Sequence, residues 1–314
     1  MPGDSDVEFL IETERLTKRY GPVLAVEDLS LRVPRGGVFG LLGPNGSGKT
    51  TAIGMVLGLV RPTAGRVRLF GRDAARNLEG ALRRIGAIVE VPAFYPYLSG
   101  RDNLLYFQGV SGRGSPDEIE ELLALVGLAG RADSKYHTYS LGMKQRLGIA
   151  YALLGDPELL FLDEPTNGLD PKGMAEVRNL IRKLGTGERT VLMSSHLLYE
   201  VEQVCDNVAI LSRGRLVIQG EVRELLQQRG HLRLRTTDDE RARVLLDDLS
   251  FVEAVQRREE HLVVAAAPQR ASEVAAVLAA SGIYPHELTP VRLSLEEYFL
   301  EVTRDTRTTA KGAS

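Results

Sequence analysis

The sequence predicts an α/β fold around a buried parallel sheet, followed by a smaller α+β unit. Three stretches carry that expectation. The first is Val38-Phe39-Gly40-Leu41-Leu42, an apolar strand that runs into the glycine-rich stretch 43–51 and then into helical sequence from Thr51 to Leu59. The second is Leu159-Leu160-Phe161-Leu162, which delivers Asp163 and Glu164 at the end of a fully apolar strand. The third is a change of texture at His231, after which short segments follow the order β-α-β-β-α-β.

The glycine-rich stretch reads Gly43-Pro44-Asn45-Gly46-Ser47-Gly48-Lys49-Thr50-Thr51 and fits G-x-x-x-x-G-K-[ST], between a strand and a helix as that motif requires. Gly43, Gly46 and Gly48 permit positive φ and close backbone approach, so successive N–H groups converge at a helix N-terminus. Lys49 then meets β- and γ-phosphates as a point charge, and the Thr50 hydroxyl suits Mg²⁺. These residues predict binding of a nucleoside triphosphate. The bland alternative, a glycine-rich turn with a surface lysine, does not account for the flanking strand and helix.

At 314 residues the chain is long enough for two domains, one clearly larger. Apolar residues make up 43% and charged residues 26%, the proportions of an ordinary globular protein. A net charge of −3 provides no electrostatic basis for nucleic-acid binding. The lone Cys205 excludes a disulfide framework and a cysteine metal site, and reads as a buried inert thiol. No apolar run reaches the roughly 18–20 residues that span a bilayer, and the polar N-terminus is not a signal peptide. Work at a membrane would therefore go through a partner.

Taken in order, residues 9–33 alternate apolar and polar as half-buried antiparallel strands do, with Tyr20-Gly21-Pro22 as a turn. Tyr20 is either an exposed turn aromatic or a ring placed to stack on a nucleobase. After the first helix come a turn at 61–66, a strand over 67–70 and another approached through 83–89. Pro92 and Pro96 exclude a long helix or a central strand over 90–98. Residues 99–154 read as mostly helical, with an apolar stripe at Ile119, Leu122, Leu123 and Val126 and Ser140 as the N-cap of a helix over 141–154. Asp163 suits the Mg²⁺ shell, and Glu164 is placed to take a proton from an attacking water. Asp170-Pro171 starts a helix running to Leu184, and His196 lies just beyond a buried strand over 190–194. In the C-terminal part, strands are expected over 231–236, 252–257, 262–267 and 284–288. Helices are expected over 240–249, 271–281 and 294–303, the whole resembling a ferredoxin-like α+β unit. The polar composition of 306–314 predicts a disordered tail.

One further stretch narrows the class. Tyr139-Ser140-Leu141-Gly142-Met143-Lys144-Gln145-Arg146-Leu147 resembles the signature motif of ATP-binding cassette (ABC) ATPases, and Glu164-Pro165-Thr166-Asn167-Gly168-Leu169-Asp170 and Ser194-Ser195-His196 follow as in that family. The likeness covers about residues 7–230. It implies an α/β core with an antiparallel β subdomain and a helical subdomain near 93–155, and leaves 231–305 as an accessory domain. The variant signature, the segment Glu90-Val91-Pro92-Ala93-Phe94-Tyr95-Pro96 and the C-terminal extension resemble the bacitracin-resistance and lantibiotic-immunity branch of ABC-2 type exporters.

The resemblance implies an ATPase using ATP and Mg²⁺, with Tyr20 stacking on adenine, Asp170 in the loop after the acidic strand and His196 contacting the γ-phosphate. It also implies a head-to-tail homodimer in which Ser140 and Gly142 complete the site of the other copy. An integral membrane permease would be the second partner, with the chain peripheral on the cytoplasmic face of the membrane. Two departures stand out. Glu90 occupies a position where the family has Gln; as an Mg²⁺ ligand it adds negative charge near the γ-phosphate and is expected to slow basal hydrolysis. Leu141 and Met143 replace the usual Gly and Gln of the signature. Phe94, Tyr95 and Tyr97 form either subdomain core or, as the resemblance implies, a groove for a coupling helix. The rival readings are a non-transport ABC protein and a nucleotide-dependent regulator of a membrane partner. Neither the coiled-coil insertions nor the second cassette of the non-transport members is present in the sequence.

Overall fold

Uninterrupted apolar strands place the centre of the fold. The computed structural model describes residues 8–89, 93–227, 230–258, 260–292 and 294–299. Glu90, the tail over 306–314 and the end of the helix expected over 294–303 lie outside the described residues. By contacts the chain divides into two units, the first ending at Gln219 and the second starting at Gly220.

The first unit opens with β1 (Phe9–Tyr20), β2 (Val23–Leu29), β3 (Arg32–Pro34) and β4 (Gly37–Leu42), followed by α1 (Lys49–Val56). Next come β5 (Ala64–Leu69), β6 (Arg72–Asp73), α2 (Ala74–Leu82) and β7 (Ile85–Ile88). Three helices follow, α3 (Gly100–Ser111), α4 (Glu118–Leu125) and α5 (Leu141–Ala152), then β8 (Leu159–Leu162), α6 (Pro171–Leu184) and β9 (Thr190–Ser195). The series continues with α7 (Leu198–Val204), β10 (Asn207–Ser212) and β11 (Arg215–Glu221), whose last two residues, like the following α8 (Val222–Gln227), belong by contacts to the second unit.

Two sheets result. The alternating segments pair antiparallel as expected: β1 lies against β2, β3 and β5, and its register shifts around Arg15, whose φ is 45°. The apolar strands form the second sheet, ordered β11-β10-β4-β9-β8-β7, in which β10, β4, β9, β8 and β7 run parallel. All residues of β8 and β9 are buried; β8 is apolar throughout, and the hydroxyls of Thr190, Ser194 and Ser195 at the ends of β9 are each hydrogen-bonded. Leu42 aligns with Ser195, and Leu162 with Met193. The chain segments leaving β4, β8 and β9 therefore emerge together at the C-terminal edge of the sheet, where a parallel sheet binds ligands.

Local chemistry sets the helix starts. Ser99, Ser140 and Asp170 each accept a backbone N–H three residues on, capping α3, α5 and α6. Pro171 at the first position of α6 meets the expectation for that helix, which ends at Leu184. The sequence reading does not anticipate α2, whose backbone kinks at non-helical Asn77, nor the elements from β10 to α8. Cys205 caps the end of α7 and is buried; burial, then the charge of Asp206, pushes its thiol pKa well up.

The second unit contains β12 (Gly230–Thr236), α9 (Asp239–Asp247), β13 (Ala254–Arg258), β14 (His261–Ala265), α10 (Ala271–Ala280) and β15 (Pro285–Arg292). Its sheet runs β13-β14-β12-β15, every pairing antiparallel. That order is the split βαβ arrangement of the ferredoxin-like fold. Leu232, Leu234, Leu262 and Val264 face Ala242, Leu246, Val274 and Leu278 of the two helices in a core of their own.

Candidate active site

Where β4 ends, the chain turns through 43–48 into α1, with φ of +77° at Gly46 and +103° at Gly48. A Cβ on Gly48 would stand 2.6 Å from the Ala25 carbonyl oxygen, so only glycine lets the loop lie this close to β2. The Ser47 N–H donates to the Pro44 carbonyl at 3.0 Å, and the Gly214 N–H donates to the Ser47 carbonyl at 3.0 Å. No acidic residue sits in the first turn of α1, so its positive end is unshielded. Residues 45–51 line a cleft of about 470 Å³ together with Val23, Leu24, Ala25, Glu164, Asn167 and His196.

Lys49 is only 6% exposed. Its Nζ donates to the Gly43 carbonyl at 2.7 Å and pairs with Glu164 Oε1 at 3.2 Å. The other carboxylate oxygen of Glu164 lies 2.8 Å from Nδ1 of His196. Glu164 is thus bridged between a cation and an imidazole, on a backbone with φ of +49°. That left-handed conformation is strained for a side chain of this size and turns the carboxylate out of β8 toward the cleft.

Asp163 takes a different neighbour set. Its Oδ2 accepts from Thr50 Oγ1 at 3.1 Å, and its Oδ1 accepts from the Ser194 hydroxyl. The same Ser194 oxygen accepts the Glu164 N–H at 2.8 Å. Ser194, read from the sequence as the end of a strand and the start of the Ser194-Ser195-His196 motif but given no role there, therefore orients both acidic residues at once. The signal available for it was a hydroxyl at the end of an apolar strand, two residues before His196.

Two observations test the fit of a triphosphate and its metal. The Ser47 hydroxyl is buried with no hydrogen-bond partner among the described residues; such an orphan costs about 1–3 kcal/mol, and a phosphate oxygen would satisfy it. Thr50 and Asp163 present adjacent hard oxygens, which suit Mg²⁺. Among the described residues no three His, Cys, Asp or Glu side chains form a metal cage, and a magnesium ion held chiefly by phosphates and water needs none.

The remaining predicted residues fall in three places. Gly43 and Pro44 support Lys49 through their carbonyls, at 2.7 and 3.5 Å. Tyr20 closes β1 opposite Val23, half-exposed, with Lys18 Nζ 4.7 Å from its ring centroid; Val23 lines the cleft and Tyr20 does not. Ser140, Gly142 and Asp170 also lie outside that lining. They form a pair of neighbouring helix starts, where a Cβ on Gly142 would come 3.8 Å from Cα of Gly173. Of the uncertain aromatics, Phe94 is buried against Phe107, Tyr136 and Tyr151, whereas Tyr95 and Tyr97 are 47% and 78% exposed.

The comparisons with known proteins agree with this geometry. A family model described as ABC transporter matches residues 26–167. The bacitracin transport ATP-binding protein BcrA of Bacillus licheniformis is 40% identical, over 93% of this chain and 97% of that protein. The daunorubicin resistance ATP-binding protein DrrA3 of Streptomyces coeruleorubidus is 37% identical, over 96% of this chain and 98% of that protein. The solved ATP-binding subunit of an ABC transporter matches with a TM-score of 0.61 at 31% identity, covering 69% of this chain and 91% of that one. The cbiO1 protein of Clostridium perfringens, part of an ABC transporter complex, matches with a TM-score of 0.63 at 27% identity over 70% and 91% of the two chains.

Proposed function

The chain belongs to the ABC transporter family as an ATP-binding subunit with ATPase activity, and on that premise we propose that it powers export of a peptide antibiotic or another amphipathic compound through a separate membrane subunit. Relatives over nearly the whole chain that serve bacitracin transport and daunorubicin resistance support this cargo class. The observation that carries the chemistry is the Glu164 carboxylate, aimed into the loop-lined cleft between Lys49 and His196.

In this reading Lys49 exchanges Glu164 for oxygens of the β- and γ-phosphates, supported by the backbone N–H groups of 45–51. Glu164, freed from Lys49 and still oriented by His196, accepts the proton of the attacking water. His196 then has its second ring nitrogen available for the γ-phosphate. Thr50 and Asp163, with Glu90, hold Mg²⁺, which when bound neutralises charge on the phosphates. Tyr20 stacks on the adenine beside Val23. Ser140, Gly142 and Asp170 act across a head-to-tail homodimer, offering the N-terminus of α5 to the γ-phosphate of the other copy. Among the described residues no helix is long and apolar enough to cross a membrane; the membrane path is assigned to the partner, with this chain peripheral on the cytoplasmic face.

Capture with tagged Glu164→Gln protein and Mg-ATP, from detergent-solubilised native membranes, tests the assignment. A polytopic membrane protein is expected to co-purify. Recovery of ribosomes, DNA or the cassette dimer alone would overturn the transport reading and leave the ATPase chemistry standing.

A further inference from the structure

Resting on the reading of Glu164 as the proton acceptor that His196 orients, we propose that Arg178 and Glu200 are positioning residues for hydrolysis. Their ion pair, set between α6 and α7, fixes where His196 stands relative to Glu164. The two chain segments concerned leave neighbouring strands, since β8 and β9 pair side by side. One runs from Glu164 into α6 and the other from His196 into α7. They meet at the sheet edge, where Glu164 and His196 are 2.8 Å apart, and meet again where Arg178 Nη1 donates to Glu200 Oε1 at 2.9 Å. The two contacts close a ring through both helices. Neither Arg178 nor Glu200 lines the nucleotide cleft, so their effect on the chemistry passes through that ring.

The second contact matters because α7 cannot hold His196 by itself. It spans seven residues, too short to be stable without tertiary contacts. Its first turn is tied to the histidine segment: the Leu197 N–H donates to Ser195 Oγ at 3.0 Å, and the Glu200 N–H to the Leu197 carbonyl at 3.1 Å. A shift of Glu200 therefore moves the residues that carry His196. Fully buried Val201 presses α7 against β4, where a Cβ on Gly40 would stand 2.6 Å from Val201 Cγ1. That apolar contact sets the depth of α7 and is non-directional. The hydrogen-bonded carboxylate sets where α7 lies along α6. Arg182, on the same face of α6 as Arg178, adds a second tie, its Nε donating to the Gln203 carbonyl at 2.8 Å. As a stabiliser the pair is poor. Glu200 is 5% exposed, and its Oε2 is buried without a hydrogen-bond partner among the described residues. A buried carboxylate left half-satisfied gives little net stability, and apolar side chains replace such a pair at small cost. What the replacement removes is direction.

The test measures steady-state ATPase kinetics, ATP affinity and thermal midpoint on full-length wild type, Glu200→Gln, Glu164→Gln and the double variant Arg178→Met with Glu200→Leu. The double variant puts apolar side chains in place of the pair. It is expected to keep a thermal midpoint at or above that of wild type, with kcat about tenfold lower and both KM and ATP affinity unchanged. Glu200→Gln keeps an acceptor for Arg178 Nη1 and is expected to retain kcat within about twofold. Wild-type kcat in the double variant overturns the proposal. A raised KM at constant kcat overturns it as well, since the pair would then serve nucleotide binding. So does a kcat that falls only in step with the thermal midpoint, which is general loosening. Equal losses in Glu200→Gln and the double variant count against it too, because the hydrogen bond is the positioning contact. Glu164→Gln checks the underlying reading separately: hydrolysis at the wild-type rate there removes Glu164 as proton acceptor, whatever the pair does.

Discussion

Glu164 holds a left-handed backbone, an ion pair to Lys49 and a hydrogen bond to His196 in the space of one side chain. Its neutral isostere keeps the shape and loses the proton acceptor. Glu164→Gln is therefore expected to retain ATP binding while hydrolysis falls about 10²–10⁴-fold, as measured by phosphate release alongside nucleotide affinity. Ser194 makes a second prediction. Removing its hydroxyl frees Asp163 and orphans the Glu164 N–H, so Ser194→Ala should lower kcat roughly tenfold with KM for ATP nearly unchanged. A rise in KM at constant kcat would place Ser194 in ground-state binding instead. Residue types at motif spacing single out Lys49, Thr50, Asp163, Glu164 and His196, which the fold brings together. Ser194 was not legible, because its role depends on β8 and β9 lying side by side, and no local pattern records which strands neighbour each other.

Helix starts were the most legible elements, since a cap is a contact between residues three apart. Asp170 accepts the Gly173 N–H at 3.2 Å and Pro171 follows it, as read from the chain. Asp170→Ala is expected to cost about 1 kcal/mol of stability through the lost cap of α6, checked by denaturant unfolding. A larger loss of ATPase than of stability in that variant would separate a role at the dimer site from capping. Strands with uniform burial were legible from apolar runs. Elements missed were short helices such as α2 and α8, whose stability is decided by what packs on them rather than by their own sequence.

Contacts distant in sequence tie the first unit together. Glu158 accepts from Arg84 at 2.5 and 2.8 Å and from Arg35 at 3.2 Å, joining segments more than 70 and 120 residues apart. The Arg84 hydrogen bond, ahead of opposing desolvation and the further pull of Arg35, holds the Glu158 carboxylate pKa below its usual value. A depressed folded-state pKa means the stabilisation is present above the unfolded value and is lost as pH falls through the folded one. Wild type should therefore lose more of its thermal midpoint between neutral pH and about pH 4 than Glu158→Gln does; equal losses would remove Glu158 from the acid response. In the second unit the core is self-contained, so Leu234→Ala should destabilise that unit by about 2–5 kcal/mol, read as a lowered unfolding midpoint, with the ATPase rate preserved. Backbone and side-chain chemistry within a few residues settles loops, caps and buried strands, and so the phosphate loop, the acidic strand and both fold classes could be read from the chain alone. The bridge from Lys49 through Glu164 to His196 and the Ser194 link exist only once strands and helices far apart in sequence meet. Those meetings are set by global packing of apolar faces, and no segment carries that information by itself.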